Sequence, residues 1–355
     1  MHHVYFYWKG KGVPYLPDSL RITDYNHFLY NYFPEAKYFG TMDFATPAVF
    51  LLDPELIKDV LVKDFENFHD HHSFLDEDLD PLFKMRNTLS PSFTASNMKI
   101  MFDLVSKYSR EFVDYLVDQP ELYVAIETKQ IFRRYITDFY VRGIEISKAF
   151  SGFLTLFKFM FMHLLMQARD KNDSNVHKMT LDDIISQVFI FFLVGFETLM
   201  CFVAHELAVN PDIQDRLRDE VQQHLAEDNE ISYELLSKMT YMDMVISETL
   251  RKYHCRSIIV EPGNVVMISV YGLHHDSKYF PDPNKFDPER FSEKNKDNIV
   301  PYTYLPFGHR PKKCIGNRFA LMETKILIAH LLQKFILKRI KKLLSLLFSV
   351  RQNSI

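Results

Sequence analysis

Cysteine is scarce in this chain: Cys201, Cys255 and Cys314 are the only three in 355 residues. Their odd number and irregular spacing argue against a disulfide framework or a cysteine zinc site and fit a reducing compartment. Excess positive charge is missing too. A net charge of -4 and a pI near 6.4 argue against a nucleic-acid surface, and no run of aromatics interleaves with Lys and Arg as single-strand binding needs. The opening MHHVYFYWKGKGVPYL holds no apolar run long enough for a signal peptide or a span. Its aromatic cluster followed by basic residues is the composition expected just after an anchor. Internal repeats and low-complexity linkers are also missing, so the sequence reads as one domain. Glycine is low, with 10 residues against a usual share of about 7%.

What is present is an ordinary globular composition, 47% hydrophobic and 25% charged, ample for a large core. An excess of Phe (32) and Met (15) makes that interior aromatic and adaptable, so an apolar pocket is expected. TPAVFLL at 46–52 carries a strand signal, a helical pattern follows over 53–63, and NVVMISVY at 264–271 carries a second strand signal. Nearly everything between them reads as helix. The fold class is therefore mainly α with a small β-sheet, α+β in the broad sense.

The stretch MTLDDIISQVFIFFLVGFETLMCFVAHEL opens with a capping box, Thr180 to Asp183, and runs nearly uncharged from Val188 to Ala204. Read as a membrane span, it must hold Glu197 in the bilayer at a cost on the order of 3 kcal/mol. A helix buried inside a large helical protein fits better. In that setting Gly195 lets another group approach the backbone closely. Glu197 beside Thr198 is then either an internally bonded pair or an acid and alcohol that deliver protons to a bound cofactor.

At 305–320 the chain reads LPFGHRPKKCIGNRFA, one cysteine in a bend before a helix-competent run. A following helix N-terminus and nearby Lys312 and Lys313 favour the Cys314 thiolate. A thiolate there serves as a nucleophile, with His309 as base, or as a metal ligand; the sequence offers no third residue or oxyanion hole for the former. In MTYMDMVISETLRKY, Met242, Val245, Ile246, Thr249 and Leu250 form one helical stripe, and Glu248 and Arg251 are i,i+3 neighbours. Downstream, FDPERF brings Arg290, whose guanidinium beside that pair would complete a three-member ion network. The doublets His71, His72 and His274, His275 are expected at the surface rather than around one ion.

Four features, VGFET, ETLR, FDPERF and FGHRPKKCIG, occur in one order and together resemble the cytochrome P-450 family of heme-thiolate monooxygenases over roughly residues 1 to 340. The segments MRNTLSPSFTASNMKIMF and DFENFHDH are similar to its microsomal, xenobiotic-metabolising branch of insect type. The resemblance implies heme b held by Cys314, with Arg86, Gly195, Phe307, Lys312 and Gly316 around it and Ala320 opening the helix behind. It makes Glu197 and Thr198 the oxygen-activation pair and Glu248, Arg251 and Arg290 a structural triad. A thiolate ligand pushes electron density toward the iron and favours O–O cleavage, while a Glu/Thr relay supplies protons. The implied partners are a small apolar substrate, an NADPH-cytochrome reductase docking near Lys312 and Lys313, and cytochrome b5. The implied place is the cytoplasmic face of the endoplasmic reticulum membrane.

The sequence also departs from the family pattern. Arg310 stands where the family has Gly, Lys312 where it has a propionate-pairing Arg, Leu82 where an aromatic is usual, and Val194 where Ala or Gly is usual. A positive φ at position 310 would strain Arg by about 1 to 2 kcal/mol, and Lys lacks the guanidinium fork. The joins DPLFKMRN, KFMFMHLLMQARDK and KYHCRSIIVEPGN are shorter than the family's corresponding regions. The expectation is an N-truncated, internally shortened heme domain over 1–342 with a divergent tail over 343–355. It is a monooxygenase, or a remnant that binds heme weakly or not at all. Lys338, Arg339, Lys341 and Lys342 before LLSLLF have the composition of an interfacial segment, so a membrane surface is an expected partner.

Overall fold

The structure is a computed structural model that describes residues 30–33, 35–43, 46–64, 66, 68, 93–118, 126–127, 131–135, 196–228, 230–253, 257–260, 265–309, 313–339 and 345–350. Its elements in chain order begin with β1 (Tyr38–Asp43), β2 (Thr46–Leu51), α1 (Pro54–Lys58), α2 (Ala95–Val117) and β3 (Ile126–Glu127). Then come α3 (Phe196–Val209), α4 (Pro211–Asp228), α5 (Tyr233–Leu236), α6 (Thr240–Tyr253), β4 (Ser257–Val260) and β5 (Val265–Ser269). The last are α7 (Val270–His275), α8 (Asn317–Lys334), β6 (Phe335–Arg339) and β7 (Ser345–Val350). The architecture is mainly α with small sheets. The chain divides into two compact units, Met1–Phe74 with Ser247–Cys314 and Leu75–Ile246 with Ile315–Ile355.

The first unit is built on a mixed four-stranded sheet in the order β1-β2-β5-β4. β1 and β2 pair antiparallel, β2 and β5 parallel, and β5 and β4 antiparallel. The alternation in TPAVFL turns Ala48 and Phe50 to the core, where Phe50 stacks on its cross-strand partner Phe39 at 4.9 Å. β5 is buried at every position, as a central Val/Ile-rich strand covered on both faces should be. The helical pattern expected over 53–63 forms α1 and then a π-turn, Asp59–Lys63. Asp53 caps α1 by accepting from the Leu56 N–H at 3.1 Å, with Pro54 in the first turn. Gly272 in α7 is required by contact: a Cβ there would lie 2.3 Å from the Tyr30 ring. Tyr30 passes over it to donate to Asp276 Oδ2 at 2.8 Å.

The second unit packs helices around α8. Its buried residues include Phe319, Ala320, Met322, Ile326, Leu327, Ile328, Leu331 and Leu332, so it is apolar nearly all round. β3, β7 and β6 form a second, antiparallel sheet in that order. Gln214 of α4 serves edge strand β6 as a surrogate neighbour. It accepts from the Leu337 N–H at 2.8 Å and donates to the Leu337 carbonyl at 2.9 Å. The tail supplies β7, paired with β6 from Phe335↔Val350 to Arg339↔Leu346. Its short apolar run, Leu346 to Phe348, suits a strand whose partner lies a short connection upstream. Among the described residues no helix is long and apolar enough to cross a membrane.

The helix α8 core encloses a carboxyl. Glu323 is 1% exposed, and its Oε2 has no hydrogen-bond partner. Burial pushes its pKa up to about 8. The folded state therefore holds a proton that the unfolded chain releases near the ordinary carboxylate range. The stability this contributes is full below that range and is lost as pH rises through about 8. Glu323→Gln, which keeps the shape and removes the charge, is expected to gain stability relative to the parent progressively over that window. The gain should reach a few kcal/mol, at about 1.4 kcal/mol per pH unit. Urea denaturation at a series of pH values checks this, and a pH-independent difference would contradict it.

Candidate functional site

The cysteine loop grows out of an irregular segment of the first unit. Tyr302 takes φ 66°, unusual for an aromatic residue, and Gly308 takes φ 70°, where glycine is at ease. The Gly308 N–H donates to the Leu305 carbonyl at 3.1 Å, and the Cys314 N–H donates to the Phe307 carbonyl at 2.8 Å. The second bond closes the loop across Arg310 and Lys312, which lie outside the described residues. Cys314 is exposed and not in a disulfide. Phe307 is half-buried, and Gly316 is buried where it accepts the Ala320 N–H at 3.0 Å. His309 packs its ring against Tyr302 at 4.8 Å, and its Nδ1 is buried without a hydrogen bond, so that nitrogen does not serve as a base toward the thiol.

Behind the loop stands a buried ion pair. Glu248 and Arg251 on α6 are both 0% exposed. Arg251 Nε donates to Glu248 Oε2 and Arg251 Nη2 to Oε1, both at 2.8 Å, a bidentate fork made possible by their i,i+3 spacing. Arg251 also donates through Nη1 to the His274 carbonyl and through Nη2 to the Pro283 carbonyl, both at 2.7 Å. Glu248 Oε1 accepts the Asp287 N–H at 3.1 Å. Arg290 Nε stands 3.6 Å from the same oxygen, within ion-pair reach but beyond a hydrogen bond, while Arg290 Nη2 donates to the Asp282 carbonyl at 2.9 Å. Burial raises the Glu248 carboxyl above its usual range; Arg251, the Asp287 N–H and Arg290 pull it back.

His274, expected at the surface, is instead fully buried. Its ring lies 5.3 Å from that of Tyr304, nearly parallel, and Tyr304 donates its hydroxyl to the Ser247 carbonyl at 3.0 Å. The Leu305 N–H donates to His274 Nε2 at 3.0 Å, and His274 Nδ1 lies 3.2 Å from the Arg251 carbonyl. The doublet's sequence gives no sign of this, because both partners are distant along the chain. His71 and His72 lie outside the described residues.

Of the remaining sequence-predicted residues, Arg86, Gly195 and Val194 fall outside the described residues. Glu197 and Thr198 lie in the first turn of the described part of α3, Phe196–Val209, and Thr198 is exposed. Leu199, Met200 and Val203 just beyond are buried. On α6, Met242, Val245, Ile246 and Thr249 are buried as the stripe requires, and Leu250 is half-buried.

Removing one partner of a buried, hydrogen-bonded pair strands the other charge. Arg251→Ala should therefore cost about 3 to 5 kcal/mol, well above what loss of an exposed ion pair costs. Equilibrium denaturation of the variant reads this, and a loss below about 1 kcal/mol would show that the pair is not structural.

Comparison with known proteins adds an independent line. A family model described as Cytochrome P450 matches residues 157–344. Cytochrome P450 9e2 of Blattella germanica is 35% identical over a 463-position alignment covering 94% of this chain and 87% of the relative. Cytochrome P450 9b2 of Drosophila melanogaster is 33% identical, covering 83% of this chain and 79% of the relative. Cytochrome P450 6k1 of Blattella germanica is 31% identical, covering 94% and 88%. The 463 aligned positions exceed the chain's own 355 residues by 108, so at least that many positions of the first relative face no residue here. With four motifs in order, a mainly helical fold carrying a small mixed sheet, and these similarities over most of its length, the chain belongs to the cytochrome P450 family of monooxygenases.

Proposed function

We propose that this chain binds heme b through Cys314 and inserts one oxygen atom of O2 into a small apolar substrate, with electrons from NADPH delivered by a reductase. The observation that carries the reading is the exposed Cys314 thiol on a loop closed by its own N–H to the Phe307 carbonyl. That arrangement fits a heme ligand. Among the described residues no three His, Cys, Asp or Glu side chains gather to hold an ion. A single sulfur donor would suit a metal whose other ligands come with its cofactor. When bound, heme supplies the dioxygen chemistry; the protein's residues hold, orient and protonate.

In this reading Cys314 supplies the thiolate, and Phe307 and Gly316 shape the loop that presents it. Gly308, whose φ is 70°, makes the turn that brings Phe307 opposite Cys314. Glu197 and Thr198 are the proton-delivering pair, and the exposure of Thr198 supports a hydroxyl open to a ligand rather than packed in the core. Arg86 and Lys312 supply positive charge for the propionates, and Gly195 gives close approach to the backbone. Lys313, exposed, and Lys312 suit an acidic docking face on a reductase or on cytochrome b5. The family resemblance supports the endoplasmic reticulum membrane as the site of action, with the cytoplasmic face as the working side.

A second reading, a chain that keeps the scaffold but holds heme weakly, is favoured by Arg310 and Lys312 in the loop and by the 108 or more aligned positions without a counterpart. The ferrous-CO difference spectrum separates the two. A strongly red-shifted Soret band lost in Cys314→Ala and kept in Cys201→Ala is expected; a band that survives Cys314→Ala would overturn the ligand assignment.

The loop departures can be tested on their own. Arg310→Gly with Lys312→Arg would remove the cost Arg bears if the loop needs a left-handed backbone there and would restore a bidentate grip on a carboxylate, each worth about 1 to 2 kcal/mol. Heme occupancy, read as pyridine hemochromogen, should rise by about tenfold or more in affinity with little gain in turnover. Unchanged occupancy would place the limit in the missing segments.

A further inference from the structure

We infer that His274 is a positioning residue for the cysteine loop, locking the first residues of that loop to the buried Glu248–Arg251 pair. The inference rests on the reading of Cys314 as the iron ligand for its functional meaning, but its geometry stands within one compact unit. Arg251 and His274 bind each other twice: Arg251 Nη1 donates to the His274 carbonyl at 2.7 Å, and His274 Nδ1 faces the Arg251 carbonyl at 3.2 Å. The other ring nitrogen, Nε2, accepts the Leu305 N–H at 3.0 Å. An acceptor at Nε2 leaves the proton on Nδ1, so the ring is the neutral tautomer that donates to Arg251 and accepts from Leu305. Leu305 is where the loop starts. Its carbonyl takes the Gly308 N–H at 3.1 Å, and the next carbonyl but one, that of Phe307, takes the Cys314 N–H at 2.8 Å. Each link is a hydrogen bond between rigid groups. A shift of the imidazole would therefore move Leu305, the Gly308 turn and the carbonyl on which Cys314 closes.

Two near-isosteric variants divide the ring's functions. In His274→Asn the amide nitrogen takes the place of Nδ1 and keeps the donor to Arg251, but Leu305 loses its acceptor. In His274→Gln the amide oxygen takes the place of Nε2 and keeps the acceptor for Leu305. Hydrogen–deuterium exchange of the full chain reads the loop whether or not heme is bound. The amides of 303–314 should exchange about tenfold faster in His274→Asn than in His274→Gln, while the α6 amides exchange alike in both. In the parent chain the Leu305 amide should be as protected as α6. With heme, His274→Asn should lose the thiolate-type ferrous-CO band sooner on warming than His274→Gln. Equal loop exchange in the two variants, or a parent Leu305 amide that exchanges as fast as an exposed loop, overturns the inference. A parent chain without a thiolate band that still shows the Asn–Gln difference sinks only the ligand assignment and leaves the positioning role standing.

Discussion

Two charges with no exposure to solvent, Glu248 and Arg251, set the terms for the first unit. Taking a carboxylate and a guanidinium out of water is costly, and Coulomb attraction offsets that cost only when geometry is close to ideal and further hydrogen bonds satisfy the remaining groups. Here four of the five guanidinium N–H groups are hydrogen-bonded. The fork is bidentate at 2.8 Å on both arms, and the rest of the guanidinium binds the carbonyls of His274 and Pro283. The pair therefore dictates where those two carbonyls stand. A helix, α7 with its His274, and an irregular segment running through Pro283 and Asp287 are held to one arrangement by a single side chain and its partner.

The irregular segment has little else to fix it. Between 276 and 309 the regular structure is two short 3-10 turns, Pro288–Phe291 and Lys296–Asn298, so the backbone must find partners one by one. It does so with Asp287, which caps the first turn and gives its own N–H to Glu248, and with Arg290, which takes the Asp282 carbonyl. Asp282 and Tyr302 sit at positive φ, a strain that persists because the surrounding bonds over-determine their positions. The result is a stiff platform from which the loop to Cys314 departs. A side chain carried on a loop that departs from such a platform is pre-oriented.

What the sequence disclosed follows from the range of the interactions concerned. The strand at Thr46–Leu51 was legible from a local period of two and that at Val265–Ser269 from its β-branched content, although the strand read over 264–271 ends at Ser269, where α7 begins. The Glu248–Arg251 fork was legible because i,i+3 neighbours on a helix must meet. The family was legible from the order of the four motifs. His274 was not, since its partners are 23 and 31 residues away and a histidine doublet carries no period. The strand in the tail was not legible: a basic run before an apolar one carries no period of two, and only the pairing of Ser345–Val350 with Phe335–Arg339 reveals it. Glu323 was hidden by its helix, whose apolar residues on every side give no cue that one carboxyl faces inward without a partner.

In the proposed function, the buried pair holds the loop so that the Cys314 sulfur reaches the iron. Iron K-edge X-ray absorption of the heme-loaded chain and of Arg251→Lys tests it most directly, at a temperature where both keep their helical signal. Lysine keeps the charge but cannot fork onto Glu248 and also reach two carbonyls. The account predicts a sulfur bonded to iron in the parent and its replacement by a nitrogen or oxygen donor in Arg251→Lys. Sulfur retained at full occupancy in the variant, or no sulfur in the parent, would contradict it.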